Sequence, residues 1–138
     1  MANRTFTIIK PDSVRKGNFG KIISRLESEG FRVLGLKKVS LGRKQAESFY
    51  GVHRERPFFG SLVEYMTSGP VYVAALERDN AVAHLRQTMG ATDPQKADKG
   101  TIRADFGESI EQNAIHGSDS DENANIEIAF FFSESELV

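Results

Sequence analysis

The sequence contains no cysteine, no long hydrophobic run and almost no net charge. Without cysteine the chain cannot form a disulfide framework, a thiolate nucleophile or a zinc site with sulfur ligands. Its longest apolar runs, residues 71–76 and 128–132, are far shorter than the roughly 20 residues that span a bilayer. Residues 1–5 lack the apolar core of a signal peptide, so we expect a cytoplasmic protein with no membrane partner. A formal net charge of −1 gives no reason to expect nucleic-acid binding by the molecule as a whole.

The composition is that of an ordinary globular protein. The chain has 138 residues, of which 39% are hydrophobic and 27% are charged. This length predicts one domain, residues 1–138, that is large enough to bury a core without disulfides or metal.

The near-zero net charge hides an uneven distribution. Residues 1–103 contain all 18 basic residues and 10 of the 19 acidic ones, a formal charge of +8. Residues 104–138 contain the other nine acids and no lysine or arginine. Two interpretations are open: the two segments neutralise each other over a shared surface, or a cluster of cations is held for an anionic ligand.

Hydrophobic periodicity predicts strands alternating with helices. Strands are expected at residues 5–9, 31–41, 71–76 and 126–132. Helices are expected near residues 19–26, at 43–50, from Pro57 and after Asn80, which is a candidate N-cap. Small α+β domains of the β-α-β-β-α-β type place two helices on one face of a four-stranded sheet. Residues 90–100 form a long loop, which is typical of a functional segment.

The standard phosphate-binding signature is absent. Residues 17–21 resemble the second half of a P-loop, but Arg15 stands where the motif needs glycine and Ile22 where it needs a hydroxyl. We interpret the segment as a glycine-permissive helix start.

Among the three histidines, His116 has the most suggestive neighbours. His84 lies in a predicted helix and His53 in a charged connection, where ordinary structural roles are the better interpretation. Imidazole is nucleophilic near neutral pH when a second group fixes its tautomer. His116 is followed by Gly117, which permits an irregular backbone, and by small polar residues, and Glu127 follows on the next predicted strand.

Five segments in register resemble one enzyme family. Residues 113–120, N-A-I-H-G-S-D-S, are similar to the active-site signature N-x-x-H-G-S-D of nucleoside diphosphate kinases. The segments T-I-I-K-P-D (7–12), R-P-F-F (56–59), S-G-P (68–70) and G-T-I-R (100–103) resemble other landmarks of that family. Together they cover residues 6–132 in the family's order.

The resemblance implies a fold, a reaction and partners. The fold would be ferredoxin-like, with a four-stranded antiparallel sheet. The reaction would move the γ-phosphoryl group of a nucleoside triphosphate to a nucleoside diphosphate, by a ping-pong route through phosphohistidine and with low base specificity. Mg²⁺ would bridge the nucleotide phosphates, mostly without protein side chains as direct metal ligands. The family assembles as hexamers or tetramers built from a common dimer, and the short tail here favours the hexamer slightly.

The resemblance also assigns roles to individual residues. His116 matches the nucleophile, Glu127 the carboxylate that holds its other ring nitrogen, and Ser118 the supporting hydroxyl. The matches around the ribose and the transferring phosphate are Lys10, Tyr50 and Asn113; the phosphate ligands are Arg56, Arg86, Thr92 and Arg103; the base slot is Phe58, Ile110 and nearby Leu62.

Each of these residues also has an ordinary interpretation when it is taken alone. Lys10 ends a strand and would be exposed, and Arg56 precedes a proline and would be solvated. Phe58 would pack in the core, and Tyr50 would pack on a helix face. Glu127 alternates with isoleucines and would face solvent. The functional interpretation depends on all of them falling in the register of one family.

Two other functions stay open at this point. The first is a catalytically silent protein of the same fold that binds nucleic acid or a protein partner, although nucleic-acid readers of this kind display aromatics on a basic sheet. The three phenylalanines of residues 130–132 lie instead in a segment too apolar to be wholly exposed. The second is transfer of the phosphoryl group from His116 to a protein histidine.

Overall fold

Four antiparallel strands form one sheet in the computed structural model, which describes residues 3–138. They are β1 (Arg4–Ile9), β2 (Arg32–Val39), β3 (Val71–Glu77) and β4 (Ile115–Gly117). Their order across the sheet is β2-β3-β1-β4, and each neighbouring pair is antiparallel. This is the ferredoxin-like α+β arrangement that the sequence predicts. Met1 and Ala2, on which the expectation of no signal peptide partly rests, lie outside the described residues.

The helices connect the strands and vary in length. They are α1 (Pro11–Arg15), α2 (Phe19–Ser28), α3 (Arg43–Phe49), α4 (Phe59–Met66), α5 (Ala81–Met89), α6 (Ile102–Phe106) and α7 (Asp121–Phe131). Within residues 3–138, none of them is both long enough and apolar enough to cross a membrane.

Helices cover both faces of the sheet, which differs from a simple two-layer arrangement. Side chains that alternate along each strand face opposite ways, so Phe6 and Ile8 join a core with α3, α4 and α7. Ile9 and Ala74 join a second core with α2, α5 and α6. The first core borders the side chain of His116, whose ring centroid lies 6.2 Å from that of Phe6.

The strand expected at residues 126–132 is wrong, because most of this segment belongs to α7. The Ser120 side chain accepts a hydrogen bond from the Asn123 backbone N at 3.1 Å and so caps the helix. Asp121 and Glu122 in the first turn complement the helix dipole. Ala124, Ile128 and Phe131 are buried at helical spacing. This spacing is hard to recognise in the sequence, because other isoleucines and phenylalanines stand between the buried positions. The fourth strand is the short β4.

The Asn80 prediction is partly wrong. Asn80 does precede α5, but its side chain makes no capping hydrogen bond. Its backbone takes the left-handed conformation instead, with φ at 53°, which asparagine tolerates better than most residues.

Candidate active site

His116 lies at the centre of β4, directly opposite Ile8 of β1. Its carbonyl oxygen accepts a hydrogen bond from the Thr7 hydroxyl at 2.7 Å. Its ring stands edge-on to Phe49 and Tyr50 of the α3 region, with centroids 5.7 and 6.3 Å away. The sheet and these two aromatic rings therefore fix the orientation of the imidazole.

Glu127 holds one ring nitrogen of His116. The distance from His116 Nε2 to Glu127 Oε1 is 2.9 Å, and the Ser118 hydroxyl donates to the same oxygen at 2.8 Å. An ionised carboxylate only accepts hydrogen bonds, so Nε2 carries the proton and Nδ1 keeps its lone pair. The solvent-facing alternative for Glu127 is wrong, since its side chain is only 18% exposed. The residue reaches His116 from α7 rather than from a strand.

Tyr50 places an unused hydroxyl beside this pair. The residue is buried, and its hydroxyl oxygen has no hydrogen-bond partner within residues 3–138. Burial, and then the charge of Glu127, raises the pKa of Tyr50 well above its usual range. Its hydroxyl therefore keeps its proton at neutral pH and is available as a donor.

Lys10, Asn113 and Thr92 form a chain of hydrogen bonds next to β4. Lys10 Nζ donates to Asn113 Oδ1 at 2.8 Å, and Asn113 Nδ2 donates to the Thr92 carbonyl at 3.0 Å. Lys10 is 8% exposed, so the exposed alternative is wrong. Burial, followed by the charge of Arg103, lowers the pKa of Lys10 to about 8. An anion beside Nζ would favour the charged ammonium and so raise the pKa of Lys10 again.

Two arginines extend the positive charge. Arg103 donates to the carbonyls of Gly90 (3.2 Å) and Ile115 (2.9 Å), but its buried Nε has no partner among the described residues. Burial and then Arg86 lower the pKa of Arg103 to about 10. Arg86 on α5 is exposed and donates to the Gly117 carbonyl at 3.4 Å. Two guanidinium groups this close favour an anion between or beside them.

Ion pairs account for part of the uneven charge distribution. Four acids of residues 104–138 form surface ion pairs with bases of the first segment; these pairs are Arg4–Glu134, Lys16–Glu108, Arg25–Asp105 and Lys37–Glu136. Within residues 3–138, Lys10, Arg86 and Arg103 form no ion pair with a carboxylate. Neutralisation therefore occurs on the surface, and a cluster of cations held for an anionic ligand stays a prediction for the region around His116.

Gly117 has a role that the sequence does not reveal. We expected it to permit an irregular backbone, but it is the last residue of a regular strand. A Cβ at this position would lie 2.6 Å from Met89 Sδ and 3.0 Å from Leu85 Cδ2. Glycine is needed because α5, which carries Arg86, packs directly against β4.

Two of the three predicted base-slot residues are exposed. Phe58 is 47% and Ile110 is 62% exposed, while Leu62 is half-buried against the first core. Ser61 of α4 donates to Glu111 Oε2 at 2.7 Å, which ties the segments carrying Phe58 and Ile110 together. Arg56 is exposed, and its side chain makes no hydrogen bond or ion pair within the described residues.

The site contains few carboxylates. Residues 3–138 contain no cluster of three or more His, Cys, Asp or Glu side chains placed to hold a metal ion. The groups that surround His116 are mainly cations and hydrogen-bond donors, so the cluster suits a phosphate-bearing ligand.

Comparison with known sequences points to one family. Residues 3–137 match the family model described as nucleoside diphosphate kinase. The chain is 62% identical to the nucleoside diphosphate kinase of Granulibacter bethesdensis over 135 residues, which cover 98% of this chain and 96% of that protein. It is 61% identical to the Nitratiruptor sp. enzyme of the same name, over 98% of both chains.

Solved structures agree with this result. The Aquifex aeolicus nucleoside diphosphate kinase superposes with a TM-score of 0.96 at 47% identity, covering 99% of each chain. The Halobacterium salinarum nucleoside diphosphate kinase in complex with CDP gives a TM-score of 0.95 at 43% identity, covering 100% of this chain and 92% of that one.

Proposed function

The chain belongs to the nucleoside diphosphate kinase family, and we propose that His116 is the residue that carries the phosphoryl group in its reaction. The enzyme transfers the γ-phosphoryl group of a nucleoside triphosphate to a nucleoside diphosphate. The observation that carries the proposal is the 2.9 Å contact between His116 Nε2 and Glu127, because it leaves Nδ1 as the free nucleophile.

The reaction divides into two balanced halves. Nδ1 attacks the γ-phosphorus, the bond from phosphorus to the bridging oxygen breaks, and the nucleoside diphosphate leaves with the electron pair. In the second half a terminal β-phosphate oxygen of the acceptor attacks the phosphohistidine, and Nδ1 regains its lone pair. Glu127 stabilises the positive charge that develops on the imidazole during the attack, while Ser118 keeps the carboxylate oriented.

The surrounding donors bind and orient the phosphates. Arg103 offers its free Nε, Arg86 offers an exposed guanidinium, and Lys10 offers an ammonium with a lowered pKa. Phosphoryl transfer depends mainly on such positioning and charge compensation. Tyr50 and Asn113 are assigned the ribose and transferring phosphate, and Thr92 and Arg56 are assigned further phosphate contacts.

The nucleotide arrives as its Mg²⁺ complex in this proposal. Residues 3–138 place one carboxylate, that of Glu127, on His116 and no group of three possible metal ligands, which fits a metal held by the phosphates of the substrate. The ion would partly neutralise the phosphate oxygens when it is bound. Equilibrium dialysis with Mg²⁺ alone and with Mg²⁺ plus nucleotide tests this, and tight binding of Mg²⁺ alone would contradict it.

The base is assigned to a shallow slot between Phe58 and Ile110, with Leu62 nearby. Their exposure supports this role, since an exposed aromatic face can stack on any base. A slot with few base-edge hydrogen bonds discriminates poorly between bases, and this accounts for low base specificity.

A labelling experiment tests the role of His116. Incubation with γ-³²P-labelled ATP and Mg²⁺ should leave one acid-labile, alkali-stable label on each chain, and addition of a nucleoside diphosphate should remove it. His116→Ala should take up no label, while His84→Ala, which removes a histidine paired with Glu29 rather than with Glu127, should label normally. A labelled His116→Ala protein would contradict the proposal.

No finding supports the catalytically silent alternative. Of the phenylalanines at residues 130–132, two are buried, and the third is 36% exposed on a helix rather than displayed on the sheet. The other alternative is transfer of the phosphoryl group from His116 to a protein histidine. It is tested by adding a protein that carries an acceptor histidine to the labelled enzyme, in place of a nucleoside diphosphate, and measuring whether the label moves.

Self-association and location complete the proposal. β2 is an edge strand with Leu36 exposed at 44%, which supports an assembly of dimers into a hexamer or tetramer. Light scattering measures the mass, and a monomer at micromolar concentration would contradict this. A cytoplasmic location is tested by cell fractionation.

A further inference from the structure

A buried carboxylate touches the backbone just before His116. Asp12 is 1% exposed, and its Oδ2 accepts a hydrogen bond from the Ala114 backbone N at 3.1 Å. Its Oδ1 accepts a hydrogen bond from the Tyr65 hydroxyl. The Tyr65 hydroxyl oxygen in turn accepts from the Asp12 backbone N at 2.9 Å. Asp12 and Tyr65 therefore satisfy each other's buried polar groups and leave one carboxylate oxygen for Ala114.

The backbone that Asp12 holds is strained. Ala114 has a φ of 77°, in the left-handed region that a residue with a Cβ rarely adopts. The Ile115 N–H donates to the Asn113 carbonyl at 2.9 Å, the hydrogen bond of a γ-turn centred on Ala114. The Lys10 N–H donates to the Ala114 carbonyl at 2.9 Å. Such a conformation persists only where the surroundings hold it.

This turn lies between the two halves of the site. Asn113, immediately before it, binds Lys10 Nζ, and His116 follows two residues after it. A relaxed Ala114 would rotate the Asn113 side chain relative to the imidazole. Since displacement of a reacting group by about 1 Å can slow a reaction about 100-fold, the turn conformation matters for the rate.

We propose that Asp12 and Tyr65 form a positioning pair, in which Asp12 holds the Ala114 turn so that Asn113 and His116 face the same phosphate and Tyr65 holds Asp12. The proposal rests on the proposed function of His116. Neither residue contacts His116, and both act through the backbone of residues 113–115.

Asp12 also has an electrostatic effect on Lys10. The charged groups that influence the Lys10 ammonium are Arg103 on α6, Asp12 on α1 and Glu111 in the loop between α6 and β4. Arg103 and burial lower the pKa of Lys10, whereas Asp12 and Glu111 raise it. Removal of the Asp12 charge should therefore let Lys10 lose its proton at a lower pH.

Four substitutions separate these effects. Asp12→Ala removes both the support of the turn and the charge, and Asp12→Asn keeps an acceptor for the Ala114 N–H but removes the charge. Ala114→Gly needs no support, because glycine adopts positive φ without steric cost. Tyr65→Phe removes the hydroxyl that holds Asp12. Its matched control is Tyr72→Phe, because the Tyr72 hydroxyl has no partner within residues 3–138 and its ring stacks on Phe19.

The first measurement is the phosphorylation rate of His116 under single turnover, at temperatures below the unfolding transition of every variant. Asp12→Ala should be slower by roughly 10-fold to 100-fold, and adding Ala114→Gly to it should recover most of the loss. Tyr65→Phe should be slower by about 10-fold, while Tyr72→Phe should match the wild type. Asp12→Asn should shift the alkaline limb of the pH profile to lower pH.

The second measurement needs no nucleotide. The Ala114 amide hydrogen should exchange with solvent at least about 10-fold faster in Asp12→Ala than in the wild type. An unchanged rate of phosphorylation in Asp12→Ala, or no recovery with Ala114→Gly, would overturn the positioning role. A wild-type protein that takes up no label would overturn the proposed function instead, and the exchange of Ala114 would still show whether Asp12 holds the turn.

Discussion

The two ends of the site are built differently. Around His116, the side chains of Glu127, Ser118, Asn113 and Lys10 have fixed hydrogen-bond partners and are buried or nearly so. Around Phe58, the side chains are exposed and make few contacts. The difference separates the two tasks of the enzyme, since transfer needs fixed geometry, whereas a slot for many bases needs a surface without directional contacts.

This comparison predicts that substitutions near His116 lower the rate of transfer, whereas substitutions near Phe58 weaken nucleotide binding. The size of the effect should fall with distance from the imidazole. Four measurements test the gradient, starting with the group that touches His116.

Glu127→Ala should have the largest effect. Without the carboxylate, the His116 ring loses its fixed tautomer and its compensating charge, so kcat should fall on the order of 1,000-fold with little change in KM. Stopped-flow kinetics of phosphoenzyme formation provide the measurement. Glu122→Ala on the first turn of the same helix is the control, since that side chain is exposed. A loss below about 10-fold would mean that Glu127 does not orient the nucleophile.

Arg103→Lys should have the next largest effect. The lysine keeps the charge, but its compact ammonium lacks the planar fork that spans the Gly90 and Ile115 carbonyls and also presents Nε, so we expect kcat/KM to fall about 100-fold. Arg56→Ala removes an exposed guanidinium that has no protein contact in residues 3–138, and should cost only about 3-fold. Equal effects of the two substitutions would remove the distinction between the fixed and the open end. Thermal unfolding of each variant separates lost function from lost stability.

The pH dependence of kcat/KM tests Lys10. Its pKa in the free enzyme is about 8, so phosphate binding should weaken above that pH, approaching about 10-fold per pH unit. Lys10→Arg keeps its charge throughout this range and should lack that limb, at a lower absolute activity.

The contribution of Lys10 to the free energy of unfolding should rise with pH over the range in which phosphate binding weakens. The folded state loses the Lys10 proton at about pH 8, whereas the unfolded chain keeps it up to the ordinary value of 10.5. Between these values the unfolded state binds more protons, so the contribution of Lys10 to the free energy of unfolding rises with pH. Denaturant titrations of the wild type and Lys10→Met, compared between pH 7.5 and 9.5, measure this contribution. A larger destabilisation of the wild type at high pH would contradict the lowered pKa.

The fixed end of the site was only partly predictable from the sequence. The motif around His116 is contiguous, so its residues could be named directly. Glu127 was assigned to a strand because the isoleucines and phenylalanines around it outweigh the capping signal at Ser120. Its contact with His116 depends on how α7 packs, which is information that local periodicity does not contain.

Long-range contacts were the least predictable part. Asp12 meets Ala114 across 102 positions and Tyr65 across 53, so no spacing rule brings them together. Gly117 is part of the motif in the sequence, but the space that favours glycine there is limited by Met89 of α5. The fold class was easier, because few arrangements of four strands and their helices are compatible with short connections.

The smallest effect on the rate of transfer is expected at the open end of the site. Phe58→Ala should raise KM by about 10-fold through lost stacking, with little change in the single-turnover rate at saturation, because the ring contact of Phe58 within residues 3–138 is with His53 rather than with His116. The increase should be similar for purine and pyrimidine diphosphates, since both present a π-face. Ile126→Ala, which truncates an exposed aliphatic side chain on α7, is the control for loss of surface apolar area. A change confined to one class of base would show that the slot recognises base edges, and a fall in the saturated rate would show that the two ends of the site do not divide the work as their contacts indicate.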